Sequence, residues 1–198
     1  MKTVGGHTFC PELLTDGVII DVGCRGFEFA NYFKDKTVYA IDPDTDVFKD
    51  YKSDLLHYKP NPLIVMNVAI SDKAGDSSLY LNGEATCLKQ LHHFQDHRIV
   101  PCKTITMEDL YKITGENVDI LKLDCEGAEY IILGETFRPV PKQISVEFHH
   151  HCVPELHKQK YQEIVERLSK DYTMHNDVWE QRHGCGFNFW DTLFIRKW

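Results

Sequence analysis

The sequence predicts an α/β fold, a doubly wound and mostly parallel sheet with an antiparallel last strand, and three observations carry that prediction. Short, nearly continuous apolar runs alternate with stretches of helical periodicity, the pattern of a parallel sheet covered on both faces. The first apolar run ends in a glycine turn, Gly23 and Gly26, that leads into a helix. The last two runs, residues 172–175 and 189–196, follow each other with no helix between them, so that this pair must be antiparallel.

In chain order, residues 18–21 form the first strand, and Phe29, Ala30 and Phe33 share one face of a helix over 27–34. A second buried strand over 37–41 ends at Asp42-Pro43. Pro43 blocks its continuation, and Asp44 or Thr45 caps the helix that follows. A third apolar run covers 63–70, and 78–81 before Asn82-Gly83 reads as part of a hairpin excursion. The stretch from Glu84 to Arg98 shows no readable period. Beyond it come a short strand at 100–105, a helix at 107–113 and a near-continuous apolar strand at 118–123 that ends in Asp124. Gly127 opens a helix over 128–133, 144–148 is a further strand, and 155–168 is a helix. With no internal repeat and no long Pro/Gly/Ser linker, residues 1–198 are expected to form one domain.

Composition narrows the function classes. Hydrophobic residues at 42% and charged residues at 26% describe a globular chain. A net charge of −8 opposes binding to a polyanion and argues against a nucleic-acid partner. Seven cysteines at irregular spacing include no CxxC pair, which removes zinc knuckles and thioredoxin-type chemistry. Without a leader-like apolar segment at the N-terminus, reduced thiols in a cytoplasmic protein are the expectation. No apolar run approaches the roughly 20 residues of a membrane span.

The chemical signal begins at Asp21-Val22-Gly23-Cys24-Arg25-Gly26. Glycines there let a ligand approach the backbone at a helix N-terminus, although a bare tight turn would use them too. The acid separates two ligand classes. It would repel a pyrophosphate, but it favours the cationic amino and sulfonium groups of S-adenosylmethionine. Asp42 lies about 20 residues on, where a carboxylate accepts both ribose hydroxyls of an adenosine-containing cofactor, or where it serves as an ordinary first-turn helix acid. A nicotinamide-type G-x-G-x-x-G fails, because Arg25 and Glu28 occupy the second and third glycine positions.

These residues, with Asn67-Val68-Ala69-Ile70-Ser71-Asp72 and the run from Val118 through Asp124-Cys125-Glu126-Gly127-Ala128 to Glu129, resemble the FkbM-type family of class I methyltransferases over roughly 18–148. The resemblance implies a seven-stranded sheet with a reversed final strand and S-adenosylmethionine as cofactor. It implies that Asp21, Gly23 and Gly26 line the methionine end, Asp42 the ribose, and Asn67, Val68 and Ala69 the adenine edge. Cys24, Arg25, Pro43 and Asp124 complete the candidate cofactor set. The chain departs from the family in carrying Phe27 where a glycine is common and Arg25 where an asparagine is common; Arg25 is itself suited to pair with the methionine carboxylate.

Methyl transfer to oxygen needs a base near the methyl group. Asp124, Glu126 and Glu129 follow the 118–123 strand, and Glu147 and His149 alternate onto one face at the end of the next. Asp124, Glu126, Glu147 and His149 are the catalytic candidates, while Glu129 reads mostly as a first-turn helix acid. Glu147, His149 and Asp124 also suit shared metal coordination, so a divalent ion stays open without being expected. His92, His93 and His97 lack firm ligand partners. Phe187, Phe189, Trp179 and Trp190 read as core or as a lid, with Gly184 and Gly186 giving a mobile loop between the last strands. The expected acceptor is an oxygen of a small molecule or sugar, a homodimer is compatible, and the competing class is an inactive or partner-dependent adenosine-cofactor binder.

Overall fold

A computed structural model describes residues 1–54, 62–82, 85–88, 98–134, 137–149, 157–175 and 189–198. The chain opens with an antiparallel hairpin, β1 (Lys2–Val4) and β2 (His7–Phe9), which the sequence analysis did not foresee. There follow β3 (Val18–Val22), α1 (Glu28–Tyr32), β4 (Val38–Ile41), α2 (Thr45–Asp54), β5 (Leu63–Met66), β6 (Ala69–Ile70), β7 (Gly75–Asn82), β8 (Ala85–Cys87) and β9 (Arg98–Ile105). The remainder comprises α3 (Met107–Thr114), β10 (Val118–Leu123), α4 (Glu129–Ile132), β11 (Gln143–His149), α5 (His157–Leu168), β12 (Tyr172–His175) and β13 (Phe189–Arg196).

Seven strands form the main sheet in the order β12-β13-β11-β10-β3-β4-β5. The five from β11 to β5 are parallel, and β13 runs antiparallel to both of its neighbours. The expected doubly wound fold with its reversed final strand is therefore the one observed. Every residue of β10 is buried, and strand alternation divides the core into two halves. Ile20 and Leu121 pack on one face with Tyr130, Phe148 and Tyr172, while the adjacent Ile19 and Ile120 pack on the other with Phe9, Phe29 and Phe33.

Several elements differ from their sequence reading for identifiable reasons. The apolar run at 63–70 is two strands: β5 pairs with β4, and β6 leaves to pair with β9 in a second sheet of order β6-β9-β7-β8. The hairpin excursion and the short strand at 100–105 belong to that sheet, paired over Gly75–Asn82 and Arg98–Ile105. Helix α1 is shorter than expected because Phe27 takes a left-handed backbone (φ 54°) before it. By contrast, α3 starts at a full capping box, with Thr106 and Asp109 bonded reciprocally. Asp44 caps α2, accepting from the Asp46 N–H at 2.9 Å. His92, His93, His97, His150, Trp179, Gly184, Gly186 and Phe187 lie outside the described residues, and of Phe189 and Trp190 only the backbone in β13 is described. Among the described residues no helix is long and apolar enough to cross a membrane, and Cys10, Cys24, Cys87, Cys102 and Cys125 are free thiols.

Asp119, near the start of β10, anchors the edge of the sheet opposite Asp124. Its fully buried carboxylate accepts from the Thr15 N–H and hydroxyl at 2.8 Å each, from Lys36 at 2.9 Å and from Lys142 at 2.8 Å. Burial alone would raise its pKa, but the bonds from Lys142, Lys36 and Thr15 outweigh it and hold the group below the ordinary carboxylate value. Asp119→Ala is expected to cost about 3 kcal/mol in urea unfolding, because two lysines lose their counter-charge. Since the folded pKa is depressed, that contribution is present at neutral pH and fades as pH falls below roughly 4; an unchanged urea midpoint at pH 7 would refute the assignment.

Candidate active site

The site is built where β3 and β10 end side by side. Gly23 takes φ 76°, and a Cβ there would lie 1.6 Å from the Asp124 carbonyl oxygen, so the glycine turn and the end of β10 touch backbone to backbone and no other residue fits. The contact opens a cavity of about 350 Å³ at the carboxyl ends of the strands, where ligands bind in open α/β sheets. Gly23, Arg25, Asp42, Pro43, Val68 and Ala69 line one part, and Asp124, Glu126, Glu147 and His149 another. Val22, Ile70, Leu79, Leu88, Cys125 and Ala128 complete the lining.

Four of the residues singled out in the sequence are not part of this lining. Asp21 is 1% exposed, with Oδ1 3.0 Å from the buried Lys122 ammonium. Lys122 Nζ in turn donates to the Gly23 carbonyl at 2.5 Å, so Asp21 supports the turn through a lysine rather than by reaching the cavity. Burial would lower the Lys122 pKa, but Asp21 and Asp124 raise it above the ordinary lysine value. Cys24 is buried, and that burial pushes its thiol pKa up. Gly26, at φ 77°, has nothing within 4 Å of where a Cβ would stand. Asn67 Nδ2 donates to the Asp42 backbone carbonyl at 3.0 Å, tying the crossing between the two sheets to the end of β4.

At the cavity wall, Asp42 is 6% exposed and Oδ1 accepts from the Asp44 N–H at 2.8 Å. Burial pushes its pKa up to about 6. Arg25 pairs with Asp44 at 3.1 Å, which places its guanidinium beside the Asp42 loop.

The acidic end is organised by His149. Glu129 is not a plain helix acid: it is fully buried, its Oε1 lies 2.6 Å from His149 Nδ1, and the same oxygen accepts from the Cys125 N–H at 3.0 Å. A carboxylate only accepts, so Nδ1–H donates and Nε2 is directed away from Glu129. That nitrogen lies 3.6 Å from Asp124 Oδ1, 3.8 Å from Glu126 and 3.9 Å from Glu147. A left-handed backbone at Glu126 (φ 50°) followed by Gly127 (φ 96°) brings the loop back over the strand end. Burial opposes the imidazolium, but Glu129, Glu126 and Asp124 outweigh it and push the His149 pKa up to about 10. Burial likewise opposes the Asp124 carboxylate, yet Lys122, His7 and His149 hold its pKa well below the ordinary value.

Sequence reasoning gave no role to Lys122 or His7 and read Glu129 mostly as a helix acid. Lys122 was visible as a lone lysine in an otherwise apolar strand. Glu129 was visible in its spacing after Asp124 and Glu126. His7, whose Nε2 is 3.5 Å from Asp124 Oδ2, sits on a three-residue strand that carries no period to read.

The chain superposes on an rRNA methylase from Streptococcus thermophilus with a TM-score of 0.50 and 11% identity, covering 94% of this chain and 91% of that one; at that identity the likeness concerns the fold alone. An FkbM methyltransferase from Methylobacillus flagellatus KT gives a TM-score of 0.48 and 14% identity, over 93% of this chain and 45% of that one. No curated protein sequence matches significantly. The methyltransferase FkbM domain matches residues 21–189, and with that match spanning most of the sequence the chain belongs to the FkbM methyltransferase family.

Proposed function

We propose that residues 1–198 form one domain that transfers the methyl group of S-adenosylmethionine to an oxygen of a small molecule or sugar. The observation that carries this reading is a single cavity joining the Gly23 turn and Asp42 to the carboxylates around His149. The donor set fits such a cofactor: a glycine backbone without side chains faces a ligand, and a carboxylate is available for a ribose diol. Bound S-adenosylmethionine supplies an electrophilic methyl group, to which an acceptor oxygen forms a C–O bond while the C–S electron pair returns to sulfur.

In this reading Gly23 and Arg25 border the methionine end, with Gly26 next to them in the turn and Asp21 acting through Lys122, and Asp42 accepts from the ribose hydroxyls. Val68, Ala69 and Pro43 give the adenine a largely apolar wall, Asn67 ties that wall to the end of β4, and Cys24 packs beneath the glycine turn with Phe27 and Phe29. Asp124, Glu126 and Glu147 are the carboxylates placed to receive the acceptor's proton, the role a base plays when a neutral hydroxyl attacks, and His149, held as an imidazolium by these acids, orients them. Glu129 positions His149. The net charge of −8 argues against a nucleic-acid acceptor.

Isothermal titration with S-adenosylmethionine, S-adenosylhomocysteine and NAD tests the cofactor, and a methyl-transfer screen over hydroxyl, carboxyl, amine and RNA acceptors tests the substrate class. Binding of the first two ligands with turnover on oxygen acceptors is expected. Methylation only of nitrogen, carbon or RNA would overturn the oxygen reading, and binding without any turnover would favour an inactive or partner-dependent binder.

A further inference from the structure

Three ionisable side chains, two that the methyl-transfer reading places in the cavity wall and one that it leaves unused beside it, converge on one point. His7 is 1% exposed, and its Nδ1 lies 3.2 Å from the Ser145 hydroxyl, which fixes the ring. Its Nε2 is buried, makes no hydrogen bond and is aimed at Asp124 Oδ2, 3.5 Å away. An imidazole nitrogen held out of water with only this long approach to a carboxylate carries a desolvation cost that folding normally avoids. One ligand atom from each of His7, Asp124 and Glu147 lies within 4.8 Å of the other two.

We infer that His7, Asp124 and Glu147 form a binding site for a divalent first-row cation at the base of the cavity. This inference rests on the methyltransferase reading only for its place in catalysis; the coordination argument stands on geometry. Ligand atoms about 2.1 Å from a shared ion stand roughly 3.0–3.4 Å apart at adjacent positions, close to the separation of His7 Nε2 from Asp124 Oδ2. The wider spread of the full trio requires only a small closing movement of a carboxylate tip. Ser145 supplies the second contact that orients a ligating histidine. Lys122 is the competing cation at Asp124, but its ammonium is also held by Asp21 and the Gly23 carbonyl.

One imidazole with two carboxylates suits an oxygen-preferring first-row ion such as Mn²⁺ better than a thiolate-seeking one. Asp124 and Glu147 face the cavity whereas His7 lies behind its lining, which leaves the cavity side of the ion for water or an acceptor oxygen. An acceptor hydroxyl ligated there would ionise more readily, and this narrows the substrate class to oxygen nucleophiles that can bind a metal.

The experiment is titration of EDTA-stripped protein with MnCl₂, read by calorimetry and by the Mn²⁺ electron paramagnetic resonance signal, on wild type, His7→Gln and Glu147→Gln. One ion per chain is expected, with at least tenfold weaker binding in each variant that keeps the wild-type circular dichroism. Absence of binding to wild type, or a folded variant that binds within threefold of wild type, would overturn the site. The same stripped protein is titrated with S-adenosylmethionine. Cofactor binding without Mn²⁺ binding removes the metal site and leaves the proposed function intact, whereas Mn²⁺ binding without cofactor binding does the reverse.

Discussion

His149→Ala is expected to lower kcat by about 10²- to 10⁴-fold, the range lost when positioned proton transfer fails, because the carboxylates that it orients lose their shared cation, while the Kd for S-adenosylmethionine changes by less than about threefold. The asymmetry follows from where the ring sits. His149 lies within 4 Å of Asp124, Glu126, Glu147 and Glu129 together, yet the Gly23 turn and Asp42 that would hold the cofactor are built by other strands. Removing the ring also leaves Glu129 buried without its partner, so some loss of stability is expected. Glu129→Gln separates the two effects. Its amide oxygen still accepts from Nδ1–H, so the fold is retained, but the charge that orients the imidazole is gone and kcat is expected to fall by roughly tenfold with KM unchanged. A His149→Ala enzyme with wild-type turnover would remove the residue from the chemistry. Equal losses in kcat and in cofactor affinity would make it a structural support for the whole cavity.

The contrast between what the sequence showed and what it hid follows the range of the interactions. Strands β3, β4, β10 and β11 were legible because burial on both faces demands continuous apolar runs, and the strand-end acids Asp21, Asp42 and Asp124 punctuate those runs. The second sheet was not legible, because β5 and β6 share one apolar stretch whose division is set by pairing with β4 and β9, partners that are distant in the chain. The same holds at the site. Glycines and acids next to strand ends could be named, whereas the roles of Asp21 and Glu129 depended on Lys122 and His149, reached only across strands. His7 was hidden altogether: two strands of three residues around Gly5-Gly6 offer no period, and its position beside Ser145 and Asp124 is purely tertiary.

Asp42→Asn is expected to weaken S-adenosylmethionine binding by about 10- to 100-fold at pH 7.5, since hydrogen bonds to a charged acceptor are worth about 1.5–3 kcal/mol. The pH dependence gives a sharper test. Burial pushes the Asp42 pKa up to about 6, and only the carboxylate form accepts from both ribose hydroxyls. Affinity in the wild type should therefore fall as pH drops through about 6, approaching tenfold per unit below it, while the asparagine variant stays flat over that interval. Stability should move the other way. A folded pKa raised above the unfolded value means that this site stabilises the fold at low pH and loses that contribution as pH rises through 6. Asp42→Asn is thus expected to raise the melting temperature of the unliganded protein at pH 7.5, by an amount corresponding to at most about 3 kcal/mol. A variant that binds as the wild type does, with no change in its pH profile, would remove Asp42 from the ribose site. A variant that binds weakly but melts no higher would mean that Asp42 is not strained before the ligand arrives. Binding and stability moving in opposite directions through one carboxylate is what a site organised for its ligand, rather than for its own fold, requires.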